Sequence, residues 1–213
     1  MKHLIYLHGF ASSPGARKGT YLKQAFPDVN VIIPDLNVPD FEHLTLTAMI
    51  EKATQTIQDL PDGDVIVVGS SMGGLVALHM LDRQPDVAAR VRHLVLLAPA
   101  MDFMANRERH LTPEGLAAWK KRGYLPVEHF ADNKTHKLHY GLVEDVQQYN
   151  SYKTNLELPI LIYHGKHDES VDPQQSVRFA EGRQNVTLHV VDSDHALIDQ
   201  LEVIKASIEE LLN

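Results

Sequence analysis

The chain has 213 residues, 44% hydrophobic and 23% charged, and its 20 Lys and Arg face 28 Asp and Glu for a net charge of −8. That acidic balance disfavours nucleic acid and anionic membrane surfaces as main partners, and the absence of cysteine excludes a disulfide framework and a thiolate nucleophile. A chain this long buries about 70% of its unfolded surface, so one domain with a real core is expected over 1–213.

The opening Met1-Lys2-His3-Leu4-Ile5-Tyr6-Leu7 is too brief for a signal-peptide core with a cleavage site. It reads as a buried first strand ending at His8-Gly9-Phe10. No run approaches the roughly 18 apolar residues of a membrane helix, and a soluble, cytoplasmic protein is expected. A turn-rich segment leads into a helix that stops near Phe26-Pro27, and Val29–Ile33 makes a second strand. Leu44–Leu60 has the apolar spacing of an amphipathic helix. Val65–Val68 is the third strand, and the helix behind it stops near Pro85. His93–Ala98 is the fourth.

Residues 99 to about 155 interrupt this alternation. Thr112-Pro113-Glu114 has the N-cap, first-turn proline and first-turn acid of a helix start, and Gly123 closes that helix. A second helical piece is expected over Gly141–Tyr152. Met101, Phe103, Met104, Leu111, Trp119, Tyr124, Phe130 and Tyr149 make the insertion rich in large apolar side chains. Of these, Met101, Phe103, Trp119 and Tyr124 are expected to bind substrate in an apolar acyl pocket under a small helical lid. Its alternative role is packing of short helices at the sheet edge. Beyond it come a fifth strand at Pro159–Tyr163, a helix at Pro173–Ala180, a sixth strand at Val186–Val191 and a final helix at Ala196–Leu212. Near-continuous apolar strands alternating with helices predict an α/β fold whose mainly parallel sheet is covered on both faces. In such folds ligands collect at the carboxyl ends of the strands.

Four polar motifs fall at those ends. The third strand runs into Gly69-Ser70-Ser71-Met72-Gly73-Gly74, a G-x-S-x-G pentapeptide between strand and helix. A bare glycine-rich β–α turn is the alternative account. The glycines frame Ser71 rather than Ser70 as the candidate nucleophile. A serine hydroxyl is weak near neutral pH unless a base takes its proton during attack. An imidazole does so best, and it needs a carboxylate to hold its tautomer. His195 in Asp192-Ser193-Asp194-His195 and Asp168 in His164-Gly165-Lys166-His167-Asp168 fill these roles from loops after the sixth and fifth strands.

With HGF after the first strand, GSSMGG at the elbow, HGKHD after the fifth strand and DSDH before the last helix, the chain resembles the α/β-hydrolase superfamily. The resemblance covers almost the whole chain and implies the order nucleophile, acid, histidine. It implies an oxyanion hole from the backbone N–H groups of Phe10 and Met72. It also implies a compact fold of about six strands, beginning at what resembles the family's third. His8 is then expected to brace the oxyanion loop.

Asp102 and Asp172 are rivals to Asp168, and Asp194 reads as a helix cap. The Arg17–Lys18 pair reads as a solvated helix face rather than an anion-attracting site. His164 and His167 flank Gly165 at a spacing that could suggest a metal site, but the chain has no cysteine and no helical H-E-x-x-H, so no metal and no cofactor is expected. The chemistry implied is hydrolysis of carboxylic esters or thioesters of small to medium acyl substrates through an acyl-enzyme. The short lid resembles that of small single-domain esterases and of the acyl-protein thioesterase and acyl-glucuronide esterase branch. Hydrolysis of C–C bonds in ring-cleavage products and a catalytically silent ligand-binding protein are the alternatives.

Overall fold

The computed structural model describes residues 1–129 and 132–212. Its strands are β1 (Lys2–Leu7), β2 (Asn30–Ile32), β3 (Asp64–Ser70), β4 (Val91–Leu97), β5 (Tyr124–His129), β6 (Lys134–His139), β7 (Ile160–Gly165) and β8 (Val186–Val191). Six of them form one parallel sheet in the order β2-β1-β3-β4-β7-β8. The helices are α1 (Arg17–Ala25), α2 (Leu46–Gln58), α3 (Met72–Arg83), α4 (Pro85–Ala88), α5 (Phe103–His110), α6 (Pro113–Arg122), α7 (Gly141–Val146), α8 (Gln174–Ala180) and α9 (Leu201–Leu212). Among the described residues no helix is long and apolar enough to cross a membrane.

The alternation of side chains along β3 explains why that strand reads as unbroken apolar sequence. Val65 and Val67 pack with Met49, Ile50 and Ala53 of α2 and with α3 on one face. Ile66 and Val68 pack with Leu22 of α1 and with Ile204 and Ile208 of α9 on the other. Each fully buried Val or Ile contributes about 2 kcal/mol of transfer free energy. A strand in the middle of a doubly covered sheet therefore has no position that favours a polar residue. This crossover arrangement brings the carboxyl ends of β1, β3, β7 and β8 to the same edge of the sheet.

The insertion between β4 and β7 departs from the expected helical lid. Alongside α5, α6 and α7 it carries an antiparallel hairpin, β5–β6, as a separate two-stranded sheet. The hairpin was hidden because its inward face carries only Leu125, Val127 and Leu138 as aliphatic side chains, with His129 and His136 beside them, too weak an alternation to mark two strands. Pro126 is tolerated because each strand of a two-stranded sheet is an edge. The hairpin is tied down by backbone donors: Lys137 N–H reaches the Glu42 carboxylate at 2.9 Å and His139 N–H the Glu42 carbonyl at 2.8 Å. Phe130 lies outside the described residues. The final helix also begins later than expected, at Leu201, after a 3₁₀ turn at Ile198–Gln200. Asp194 caps the preceding turn instead, accepting from the N–H groups of Ala196 and Leu197 at 2.8 and 3.1 Å.

His79 joins the helix of the candidate nucleophile to the insertion. Its Nε2 lies 3.3 Å from Ser151 Oγ, which donates to the Met101 carbonyl at 2.7 Å, so His79 is the donor to Ser151. Burial pushes the His79 pKa down to about 4, helped by Arg83 and opposed by Asp82. The unfolded chain then binds a proton that the folded chain refuses between the ordinary value of about 6.5 and about 4. Stability is full above that window and falls as pH drops through it, by up to about 3 kcal/mol. His79→Phe is expected to flatten this part of the Tm-against-pH curve; an unchanged slope would count against the assignment.

Candidate active site

At the end of β3 the chain reverses into α3 through Ser71, which has φ 52° and ψ −117°. That backbone region is rarely occupied by a residue with a side chain and costs about 1–3 kcal/mol. The turn is held by its surroundings. Ser71 N–H donates to the Leu97 carbonyl at 2.9 Å, while the Ser71 carbonyl accepts from Gly74 and Ala100 at 2.9 and 3.1 Å. Gly73 is obligatory here, because a Cβ at that position would sit 2.0 Å from the Leu7 carbonyl oxygen. The bareness of Gly73 lets the end of β1 and the start of α3 touch, which brings the His8-Gly9-Phe10 loop beside Ser71. Among the described residues neither the Phe10 nor the Met72 N–H donates to a carbonyl of a turn or loop. The first N–H groups of a helix have no acceptor within it, so Met72 can direct its donor outwards.

His8 holds the floor of that loop. It is buried, its Nε2 accepts from Leu36 N–H at 3.0 Å, and its Nδ1 donates to the Gly9 carbonyl at 3.0 Å. Burial lowers its pKa, against the opposing pull of the Gly9 carbonyl and Asp35. A neutral imidazole with both nitrogens engaged supports the loop and has no nitrogen free for proton transfer.

Asp168 and His195 are hydrogen-bonded, with His195 Nδ1 2.7 Å from Asp168 Oδ2. Asp168 is buried and its other oxygen accepts from the Ser170 and Val171 N–H groups at 2.8 and 2.7 Å. A second imidazole, that of His164, places Nε2 3.1 Å from the same Oδ2, while its Nδ1 lies 2.7 Å from Ser176 Oγ. Facing acceptor oxygens on Asp168 and Val171, His164 Nε2 carries the proton, and Ser176 donates to Nδ1. Burial alone would raise the Asp168 pKa. The donors on His164, His195 and Val171 outweigh burial and hold it well below the usual carboxylate range. Asp168 is therefore ionised across the neutral range and fixes the His195 tautomer with the proton on Nδ1, leaving Nε2 to accept.

The loop bearing His195 lies directly on the loop bearing Asp168. A Cβ on Gly165 would fall 2.2 Å from the Asp194 carbonyl oxygen, and His167 N–H donates to the Ser193 carbonyl at 2.9 Å. Lys18 reaches in from α1 and donates to the Ala196 carbonyl at 2.9 Å. Burial pushes its pKa down to about 8, against Asp194 and Asp168. Lys18 is thus a support for the histidine loop, in contrast to the solvated face expected for it. The rival acids are engaged elsewhere. Asp102 caps α5 through Ala105 N–H at 3.0 Å, and Asp172 accepts from Gln174 N–H at 2.9 Å.

Ser71, Met72, Phe10 and His195 all line one cavity of about 420 Å³. Of the four side chains expected to form its acyl pocket, Phe103 lines it and the other three do not. Met101 is buried, with its carbonyl bonded to Ser151. Trp119 is a core residue whose indole N–H donates to the Leu138 carbonyl at 3.1 Å. Tyr124 lies on the hairpin with the Lys137 ammonium 5.2 Å from its ring centroid. Large apolar type marked these residues, but the insertion spends its largest side chains on its own packing. Asn106, Arg107, Val127 and Glu128 line the cavity as well, and nothing in their spacing distinguished them from an ordinary helix and hairpin. His164 could have been singled out from its place four residues before the acid.

The relatives of this chain carry the same architecture. It is 22% identical over 182 residues to the mitochondrial palmitoyl-protein thioesterase ABHD10 of Bos taurus, covering 82% of this chain and 58% of that protein. The chain thus spans less than two thirds of that relative's length. The solved alpha/beta hydrolase domain-containing protein 10 from mouse superposes with a TM-score of 0.80 at 19% identity, covering 99% of this chain and 89% of that one. Est1E from Butyrivibrio proteoclasticus, solved with ferulic acid bound, superposes at 0.79 with 22% identity, covering 100% and 88%. These likenesses establish the α/β-hydrolase fold. Residues 3–211 match the sequence profile described as "Uncharacterised protein family (UPF0227)", and the chain belongs to that family.

Proposed function

We propose that this protein is a serine hydrolase that cleaves carboxylic esters or thioesters of small-molecule acyl substrates. One observation carries the reading: the strained Ser71 elbow and the Asp168-oriented His195 open into one cavity. Ser71 Oγ attacks the acyl carbon while His195 Nε2 takes its proton, forming the C–O bond of a tetrahedral intermediate. The Phe10 and Met72 N–H groups hold the oxyanion, each donor being worth about 3 kcal/mol to the transition state. The bond to the leaving group then breaks and His195 gives that alcohol or thiol the proton. Water repeats the sequence in reverse, releasing the acid and restoring Ser71. The thioesterase name of the ABHD10 relative supports thioesters as well as esters within this class.

A fluorophosphonate probe tests the reading. Labelling of the native protein that disappears in Ser71→Ala is the expected result. A native protein that stays unlabelled would favour the silent ligand-binding alternative.

A further inference from the structure

Arg107, on α5, lines the reaction cavity. Its guanidinium carbon lies 5.3 Å from the ring centroids of both Phe10 and Phe103, held between them by cation–π contact. Its Nε is buried with no hydrogen-bond partner. Among the described residues no carboxylate comes within ion-pair distance of it. Burial lowers its pKa, yet a guanidinium stays protonated in proteins. One residue earlier in the same helix, Asn106 is buried with an unpartnered Nδ2, and it lines the same cavity. Its amide orientation is set by a chain of bonds. Asp102 N–H donates to Gln175 Oε1 at 3.0 Å, and Gln175 Nε2 donates to Asn106 Oδ1 at 2.6 Å. Asn106 therefore presents Nδ2 as a donor and has no freedom to turn its oxygen instead.

A half-buried cation whose Nε is buried without an acceptor, beside a buried amide donor that also lacks one, is rare, because each of those N–H groups forfeits hydration with no compensating bond. Aromatic rings stabilise the charge but accept no strong hydrogen bond. A ligand oxygen anion would satisfy both groups. One cation beside one neutral donor, with the exposed Glu128 at the rim of the same cavity, suits a single negative charge better than a doubly charged phosphate. The planar guanidinium edge also matches the two oxygens of a carboxylate.

We propose that Arg107, seconded by Asn106, is a specificity subsite that selects acyl substrates bearing a free carboxylate away from the scissile bond. This rests on the hydrolase reading above and names the class of substrate the same cavity takes.

The test compares the mono-p-nitrophenyl ester of glutaric acid with the same ester after methylation of its free carboxyl. The native protein is expected to favour the free acid at least tenfold in kcat/KM. Arg107→Met should lower that ratio thirtyfold or more, and Arg107→Lys should keep part of it, since the charge survives without the fork. Reading the ratio removes any loss common to both substrates. A ratio that Arg107→Met leaves unchanged would overturn the subsite, and would instead mark Arg107 as support for the oxyanion or the fold. A second arm needs no turnover: calorimetric titration of Ser71→Ala with monomethyl glutarate, with and without Arg107→Met. Binding weakened at least tenfold by the second substitution supports the subsite even if neither ester is hydrolysed, which would count against the hydrolase reading alone. No binding, or binding indifferent to Arg107, overturns the subsite even in an active esterase.

Discussion

Ser71→Ala is expected to lower the kcat for ester hydrolysis by on the order of 10⁴- to 10⁶-fold, and Ser71→Ala with His195→Ala should cost scarcely more. The reason is that the two side chains perform one event. Without the hydroxyl, the base has no proton to take, and without the base, the hydroxyl is a poor nucleophile near neutral pH. Catalysis left in either variant would come from the Phe10 and Met72 donors and from substrate binding, which both substitutions spare. Single-turnover measurements on the two single variants and the double variant provide the check. Losses that multiply would mean that Ser71 and His195 act in separate steps.

Asp168→Asn is expected to cost about 10⁴-fold in kcat with little change in KM. Four donors surround this carboxylate: the backbone N–H groups of Ser170 and Val171 on one oxygen, and the His195 and His164 imidazoles on the other. An amide has one oxygen to offer them. If that oxygen remains with the two backbone donors, the amide NH₂ faces His195. The imidazole must then accept at Nδ1 and carry its proton on Nε2, the tautomer that cannot take the Ser71 proton. The converse orientation sets NH₂ against two backbone N–H groups, which cannot move aside. NMR of the His195 ring would report the tautomer directly, and steady-state kinetics would report the rate. An Asp168→Asn variant retaining a tenth or more of native kcat would show that the carboxylate is not needed to orient the base.

The alternation of apolar strands with helices foretold the parallel sheet, because a strand covered on both faces keeps every side chain out of water. Val65–Val68 illustrates this, two residues to each core. The elbow was equally plain, since Gly73 admits no Cβ where the end of β1 presses on the start of α3. The hairpin β5–β6 left no such trace. Its inward face is apolar only at Leu125, Val127 and Leu138, and it is tied to Glu42, a contact between residues far apart in the chain. The identity of the pocket residues was hidden for a related reason. Trp119 and Met101 have the size of acyl-pocket residues and are consumed in packing, whereas Arg107 looks like a surface cation and lies between two phenylalanine rings.

Taken by itself, the sequence determined the class of fold, the serine on its turn and the candidate acid and histidine, because each depends on short-range rules of sterics, periodicity and chemistry. Only the tertiary structure decided which distant side chains meet around the site: that His164 shares Asp168 with His195, that Lys18 supports the histidine loop, and that Arg107 and Asn106 line the cavity without acceptors. Those outcomes depend on which distant side chains compete for the same buried space and the same lone pairs. No local pattern in a chain records that competition.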